Sequence, residues 1–70
     1  MEWVKIVYPR LRDVFVDERR SGRTNVVLLV AKGTHRFHLG VPQDYAPARR
    51  DVKVTGTSPL APREIEFDPA

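Results

Sequence analysis

One stretch carries the clearest structural pattern in the chain: Val26-Val27-Leu28-Leu29-Val30-Ala31-Lys32-Gly33-Thr34-His35-Arg36-Phe37-His38-Leu39. Its first part, residues 26–31, is a continuous apolar run of strand length, which is typical of a strand covered on both faces. Gly33 allows a tight turn because it tolerates positive φ. Residues 35–39 then alternate, so that Phe37 and Leu39 share one face. We therefore predict a β-hairpin over residues 26–39.

Short segments of the same kind flank this stretch, and proline and glycine separate them at intervals of about 8–12 residues. The pattern predicts a single all-β domain over residues 1–70, a small antiparallel β-sandwich of about six to seven short strands. Residues 18–25 are predicted to be a polar connection, and residues 68–70 a frayed tail. Strands are predicted over residues 3–8, 13–17, 26–31, 35–39, 50–55 and 64–67.

Residues 10–20 are compatible with a strand or with a short helix. Pro9 and Gly22 stand where a helix could begin and end. Against this, Val14-Phe15-Val16 lies between two aspartates, a composition that favours a strand. In a strand Val14 and Val16 would point inward and Phe15 outward, beside several arginines.

Composition excludes several classes of protein. The chain has 12 Lys and Arg against 9 Asp and Glu, a formal net charge of +3, and no cysteine. Disulfides, cysteine-based zinc sites and thiol nucleophiles are therefore excluded. No apolar run approaches the roughly 18 residues of a membrane span. No secretory signal is visible, which predicts a cytoplasmic location. So small a core leaves little apolar material for a deep pocket, so we expect no enzyme and no cofactor.

Few residues could support catalysis or metal binding. His35 and His38 lie three positions apart, so in one strand they face opposite ways and cannot share a metal ion. Ser21, His35 and Asp17 can be written as a triad, but nothing in the sequence brings them together. His35 is predicted to be structural and His38 exposed. No catalytic or metal-binding residue is predicted.

A series of short motifs runs through the chain: Val14-Phe15-Val16-Asp17, then Gly22 and Thr24, then Gly33 and His35, then Tyr45. Across residues 3–67 this series resembles the PEGA domain, in which a strand and its following Asp precede a Gly-x-Thr segment. Gly33 and His35 match the Gly and the His of the Pro-Glu-Gly-Ala-His turn that gives the family its name. Tyr45 matches the Tyr of a Gly-Tyr pair later in the family pattern. The resemblance implies a non-catalytic β-sandwich module of bacterial and archaeal surface or multidomain proteins. It also favours a strand over residues 14–16.

These observations predict a non-enzymatic interaction module, most simply one that contacts a protein through a sheet edge or through the loops at residues 18–25 and 40–47. Homodimerisation is a further option. The alternative is a small basic nucleic-acid-binding β-protein, and a carbohydrate binder using Trp3 or Tyr45 is a third hypothesis. The candidate binding residues are Phe15, Arg19, Arg20, Arg23, Arg36, Tyr45, Arg49 and Arg50.

Overall fold

Nine short strands and no helix make up the computed structural model, which describes residues 1–70. The predicted all-β fold class is confirmed. The strand count exceeds the expected six to seven because β3, β6 and β9 occupy segments predicted to be irregular. The strands are β1 (Glu2–Val7), β2 (Asp13–Val16), β3 (Arg19–Arg23), β4 (Val27–Val30), β5 (Gly33–His38), β6 (Tyr45–Ala46), β7 (Arg50–Val54), β8 (Arg63–Glu66) and β9 (Asp68–Pro69).

Two larger sheets enclose the core. The first has the strand order β4-β1-β8 and the second β3-β2-β5-β7, while β6 and β9 form a two-stranded sheet. All pairs are antiparallel except β1 with β8, which run parallel. Fourteen buried apolar side chains form one cluster, with Phe37, Phe67 and Ile6 the largest of those that are fully buried.

The predicted hairpin over residues 26–39 is wrong. β4 pairs only with β1 in the first sheet, whereas β5 pairs with β2 and β7 in the second. The turn at residues 31–32 carries the chain from one sheet to the other, and Gly33, with a φ of 132°, begins β5 directly after it. Crossing between sheets turns Leu28 and Val30 of β4 and Phe37 of β5 toward the same core, so each strand buries its apolar face.

Two further expectations for β4 and β3 are corrected. The run at residues 26–31 is not covered on both faces, because the second sheet packs on only one face of the first and leaves the other face of β4 to solvent. Val27 and Leu29 are 43% and 54% exposed. Residues 18–25 are not merely a connection either, since Arg19–Arg23 pairs with β2.

Elsewhere the alternation predicted the core correctly. Residues 13–16 form a strand and not a helix, with Val14 and Val16 buried and Phe15 half-buried. The predicted inward residues of β1, β7 and β8, and of the positions directly after β1 and β8, are also confirmed. They consist of Val4, Ile6, Tyr8, Val52, Val54, Ile65 and Phe67.

The predicted frayed tail is wrong. Asp68–Pro69 pairs with Tyr45–Ala46, and the Ala70 N–H donates to the Asp44 carbonyl at 3.0 Å. Phe67 is buried edge-on against the Tyr45 ring at 5.5 Å between centroids. Burial of that phenylalanine holds the following residues beside β6.

Candidate functional site

Of the four edge strands in the two larger sheets, only β4 is without charge. β3, β7 and β8 carry three charged side chains each, whereas Val27–Val30 carries none. β3 also contains a bulge opposite Val14/Phe15. Charges and bulges on an edge strand discourage pairing with another chain. β4 has neither protection.

Backbone groups of Val27 and Leu29 face the open side of β4. The Asn25 N–H donates to the Ile6 carbonyl at 2.7 Å, so even-numbered residues of β1 point toward β4. The Trp3 N–H instead points away, to Thr57 Oγ1 at 2.8 Å. In an antiparallel ladder these directions alternate, so Leu28 and Val30 bond to β1 while Val27 and Leu29 point outward. Their N–H and C=O groups form a row that a further strand could join.

An apolar patch lies on the outer face of the same edge. Trp3 is the cross-strand partner of Leu29, and Lys5 that of Val27. Trp3 is half-buried, as the sequence predicted, and Val27 and Leu29 are exposed. We call Trp3, Val27 and Leu29 the edge patch.

An open groove of about 380 Å³ separates β4 from β3 on the inner side of this edge. Leu29 and Val30 line it from the first sheet, and Val16, Arg19 and Ser21 from the second. We call it the edge groove. A strand added to β4 would present alternate side chains to the edge patch and to the edge groove.

His35 lies at one end of the edge groove and contacts an acceptor through each ring nitrogen. Nδ1 is 2.5 Å from Asp17 Oδ2, and Nε2 is 2.6 Å from the Ala31 carbonyl oxygen. Both nitrogens must donate to satisfy these acceptors, which requires the imidazolium form. The hydrogen bond to Asp17 raises the pKa of His35, and the Ala31 carbonyl acts in the same direction. The Arg36 N–H and His35 together lower the pKa of Asp17.

These shifts predict a pH-dependent stability. The contribution of His35 to the stability of the fold is fully present below pH 6.5, the pKa of this histidine in the unfolded chain. It is lost as the pH rises through the higher pKa that His35 has in the folded protein. The Asp17 contribution is complete above 3.8 and is lost as the pH falls through its lower folded value. The His35–Asp17 pair therefore stabilises the fold most between pH 3.8 and pH 6.5. Urea unfolding should show a stability gap between wild type and His35→Gln that narrows from about pH 5.5 to about pH 8.5. A gap that widens over that interval would contradict the assignment.

No catalytic triad forms from Ser21, His35 and Asp17. His35 Nε2 faces the Ala31 carbonyl, and Ser21 Oγ donates to the Arg19 carbonyl at 3.0 Å. The two histidines have separate partners, since His38 stacks on Phe15 with ring centroids 5.0 Å apart. His38 is thus half-buried, although the sequence predicted it to be exposed. Nowhere do three His, Asp or Glu side chains gather in a way that could hold a metal ion.

The candidate residues predicted from sequence do not converge on one surface. Arg19 alone lies in the edge groove. Arg20 and Arg23 contact Asp13 at 3.2 and 3.6 Å, and Arg36 contacts Asp51 at 3.1 Å. These pairs, with Phe15, occupy the outer face of the second sheet.

The remaining candidates lie elsewhere. Arg50 donates to the Glu66 carbonyl at 3.0 Å, and Arg49 is exposed just before β7. Tyr45 is buried, and its hydroxyl donates to the Gly40 carbonyl and accepts from the Leu39 N–H. It therefore offers no ring surface to a ligand.

The sequence does not predict that Val27 and Leu29 are exposed. An unbroken apolar run has no alternation of apolar and polar residues that would indicate which face meets solvent. The mixed outward face of β1, with Trp3, Lys5 and Val7, was the signal that this sheet has a partly apolar outer surface.

No protein-family model, curated protein or solved structure matches the chain. No helix in the structure has the length and apolarity needed to cross a bilayer.

Proposed function

We propose that this protein is a non-enzymatic interaction module that binds an extended segment of a partner protein along β4. The observation that carries the proposal is the uncharged edge strand, whose Val27 and Leu29 backbone groups are free beside the apolar edge patch. Main-chain hydrogen bonds would supply affinity, and pockets for alternate side chains would supply selectivity. The edge patch and the edge groove are two such surfaces.

The nucleic-acid alternative has less support. A phosphate-binding face needs arginines free to contact the backbone of the nucleic acid. On the outer face of the second sheet, Arg20, Arg23 and Arg36 each contact an aspartate, so carboxylates interrupt the positive charge.

A PEGA-like classification is part of the proposal. Two motif residues support it because each has a structural role here: Gly22 packs closely on Leu28, and Thr24 is fully buried and hydrogen-bonded. The cytoplasmic location and the option of a homodimer stay predictions.

A random-peptide display library panned against the folded protein tests the proposal. Selected peptides should protect the Val27 and Leu29 amides from hydrogen exchange, because those N–H groups would gain acceptors. Protection at other amides, or no enrichment over background, would refute strand addition. Protection of the same amides without peptide, growing with protein concentration, would identify a second copy as the occupant and overturn the assignment to a partner protein.

Leu29→Lys should weaken binding of the selected peptides by about tenfold or more, because an edge lysine must lose water when a strand covers it. Leu29 is half exposed, so the fold should keep its stability. Leu60→Lys is the matched control, since Leu60 is 98% exposed on the loop between β7 and β8. Isothermal titration calorimetry would compare the three proteins. An equal loss of peptide affinity in Leu29→Lys and Leu60→Lys would show that the added charge, and not the edge patch, affects binding.

A further inference from the structure

The carboxylates near β4 have hydrogen-bond partners within the chain, whereas the cations do not form ion pairs. Asp17 accepts from His35 and from the Arg36 N–H, and Glu2 accepts from the N–H and from the hydroxyl of Thr57. The cations of this region, Lys5, Arg19 and Lys32, form no ion pair within the chain. Lys5 has Glu64 as its cross-strand neighbour, and Lys32 acts electrostatically on the Glu2 carboxylate, so Arg19 is the cation of this edge that is best able to pair with a carboxylate from a ligand.

Arg19 is the cation best placed to meet a bound strand. It is the cross-strand partner of Val16, a buried residue, so its side chain starts on the groove side of β3. Arg20 is the partner of Phe15 and starts on the opposite face, where it contacts Asp13. Arg19 shares the edge groove with Val16, with Val30 and with Asp17, whose carboxylate already accepts from His35 and from the Arg36 N–H.

We propose that the edge groove recognises an acidic strand, in which Asp or Glu alternates with apolar residues and a carboxylate pairs with Arg19. The inference rests on the proposed function, since the ligand must first add to β4. Apolar side chains of that strand would cover the edge patch, and the residues between them would enter the groove. A planar guanidinium binds a carboxylate through two parallel hydrogen bonds, which fixes the geometry of the pair.

Three blocked synthetic peptides test the sign of the charge: Thr-Val-Glu-Val-Glu-Val-Thr and its counterparts with glutamine or lysine in place of glutamate. The glutamate peptide should bind about three- to tenfold more tightly than the glutamine peptide, and the lysine peptide most weakly. The preference should shrink as salt rises, because the pair is partly exposed. Amide chemical-shift titration gives both the affinity and the location.

Variants of β3 identify the arginine responsible. Arg19→Gln should abolish the preference for glutamate over glutamine, while Arg20→Gln, one position away on the other face, should keep it. Arg19→Glu should reverse the order and favour the lysine peptide. Both substituted side chains are exposed, so the fold is expected to tolerate all three changes.

The possible outcomes distinguish failure of acidic selectivity from failure of the proposed strand addition to β4. If the three peptides shift the Val27 and Leu29 amides with equal affinity, strand addition holds and acidic selectivity is refuted. If none shifts those amides, while display yields peptides that do, the acidic inference alone fails. If neither these peptides nor selected ones reach β4, the proposed function fails as well. A preference for glutamate that survives in Arg19→Gln would refute the role of Arg19.

Discussion

Replacing Thr24 with valine is expected to lower the free energy of unfolding by about 1–3 kcal/mol, because two partly buried backbone groups lose the hydroxyl that pairs with them. The Thr24 hydroxyl donates to the Arg10 carbonyl at 2.7 Å and accepts from the Arg12 N–H at 2.9 Å. Thr24 is fully buried, so water does not take the place of its hydroxyl when valine fills the site. Valine has nearly the same shape, so the change removes hydrogen bonds without opening a cavity. For a domain of this length the loss is a large part of a total stability of roughly 4–10 kcal/mol.

Urea unfolding of three variants isolates that effect. Thr24→Ser keeps the hydroxyl and should retain most of the stability. Thr55→Val removes a hydroxyl from an exposed threonine and should change stability by less than about 0.5 kcal/mol. Thr24→Val as stable as wild type would show that the two bonds contribute nothing net. Should Thr24→Val fail to fold at all, Thr24→Ser still tests the argument, because a marked loss there would implicate the methyl group instead.

Replacing Gly22 with alanine is expected to cost about 1–3 kcal/mol through overpacking between the two sheets. A Cβ at this position would overlap Leu28 Cδ2 of β4. Leu28 is itself buried and must move for the alanine to fit. Because Leu28 lies between Val27 and Leu29, this displacement should also disturb the edge where we place the partner.

A double-mutant cycle with Leu28→Val tests whether the contact is the cause. Shortening the side chain at position 28 frees space, so Gly22→Ala should cost clearly less in that background. An unchanged cost would assign the loss to the backbone of β3 and not to the packing of β3 on β4. Thermal or urea unfolding of the four proteins supplies the cycle.

Part of the candidate site could be anticipated, and part could not. Arginines flank the outward-facing Phe15, which makes Arg19 a candidate, and the outward face of the first strand predicts a half-exposed Trp3. Their relation to β4 is not visible in the sequence, because the pattern of residues 26–39 predicts a hairpin. The pairing of Arg20, Arg23 and Arg36 with aspartates was equally hidden, since partners such as Arg36 and Asp51 lie on different strands.

The loop at residues 40–47 shows the same limit. Arg12 bonds Asp44 at 2.5 Å and donates to the carbonyls of Leu39 and Pro42, while its guanidinium lies over the Tyr45 ring. Nothing near Arg12 in the sequence distinguishes it from the exposed arginines around it. Its role depends on contacts about 30 residues away, which only the folded chain assembles.

The amino-acid sequence by itself determined the all-β class, most of the strands and the inward parity of β1, β2, β7 and β8. Alternation of apolar and polar residues is a local property, and a strand repeats it every two residues. The tertiary structure decided which strands are neighbours, that residues 26–39 cross between sheets, and that β4 is left as an uncharged edge. Pairing and edge position depend on contacts between distant segments, and a contiguous apolar run contains no record of which side water will reach.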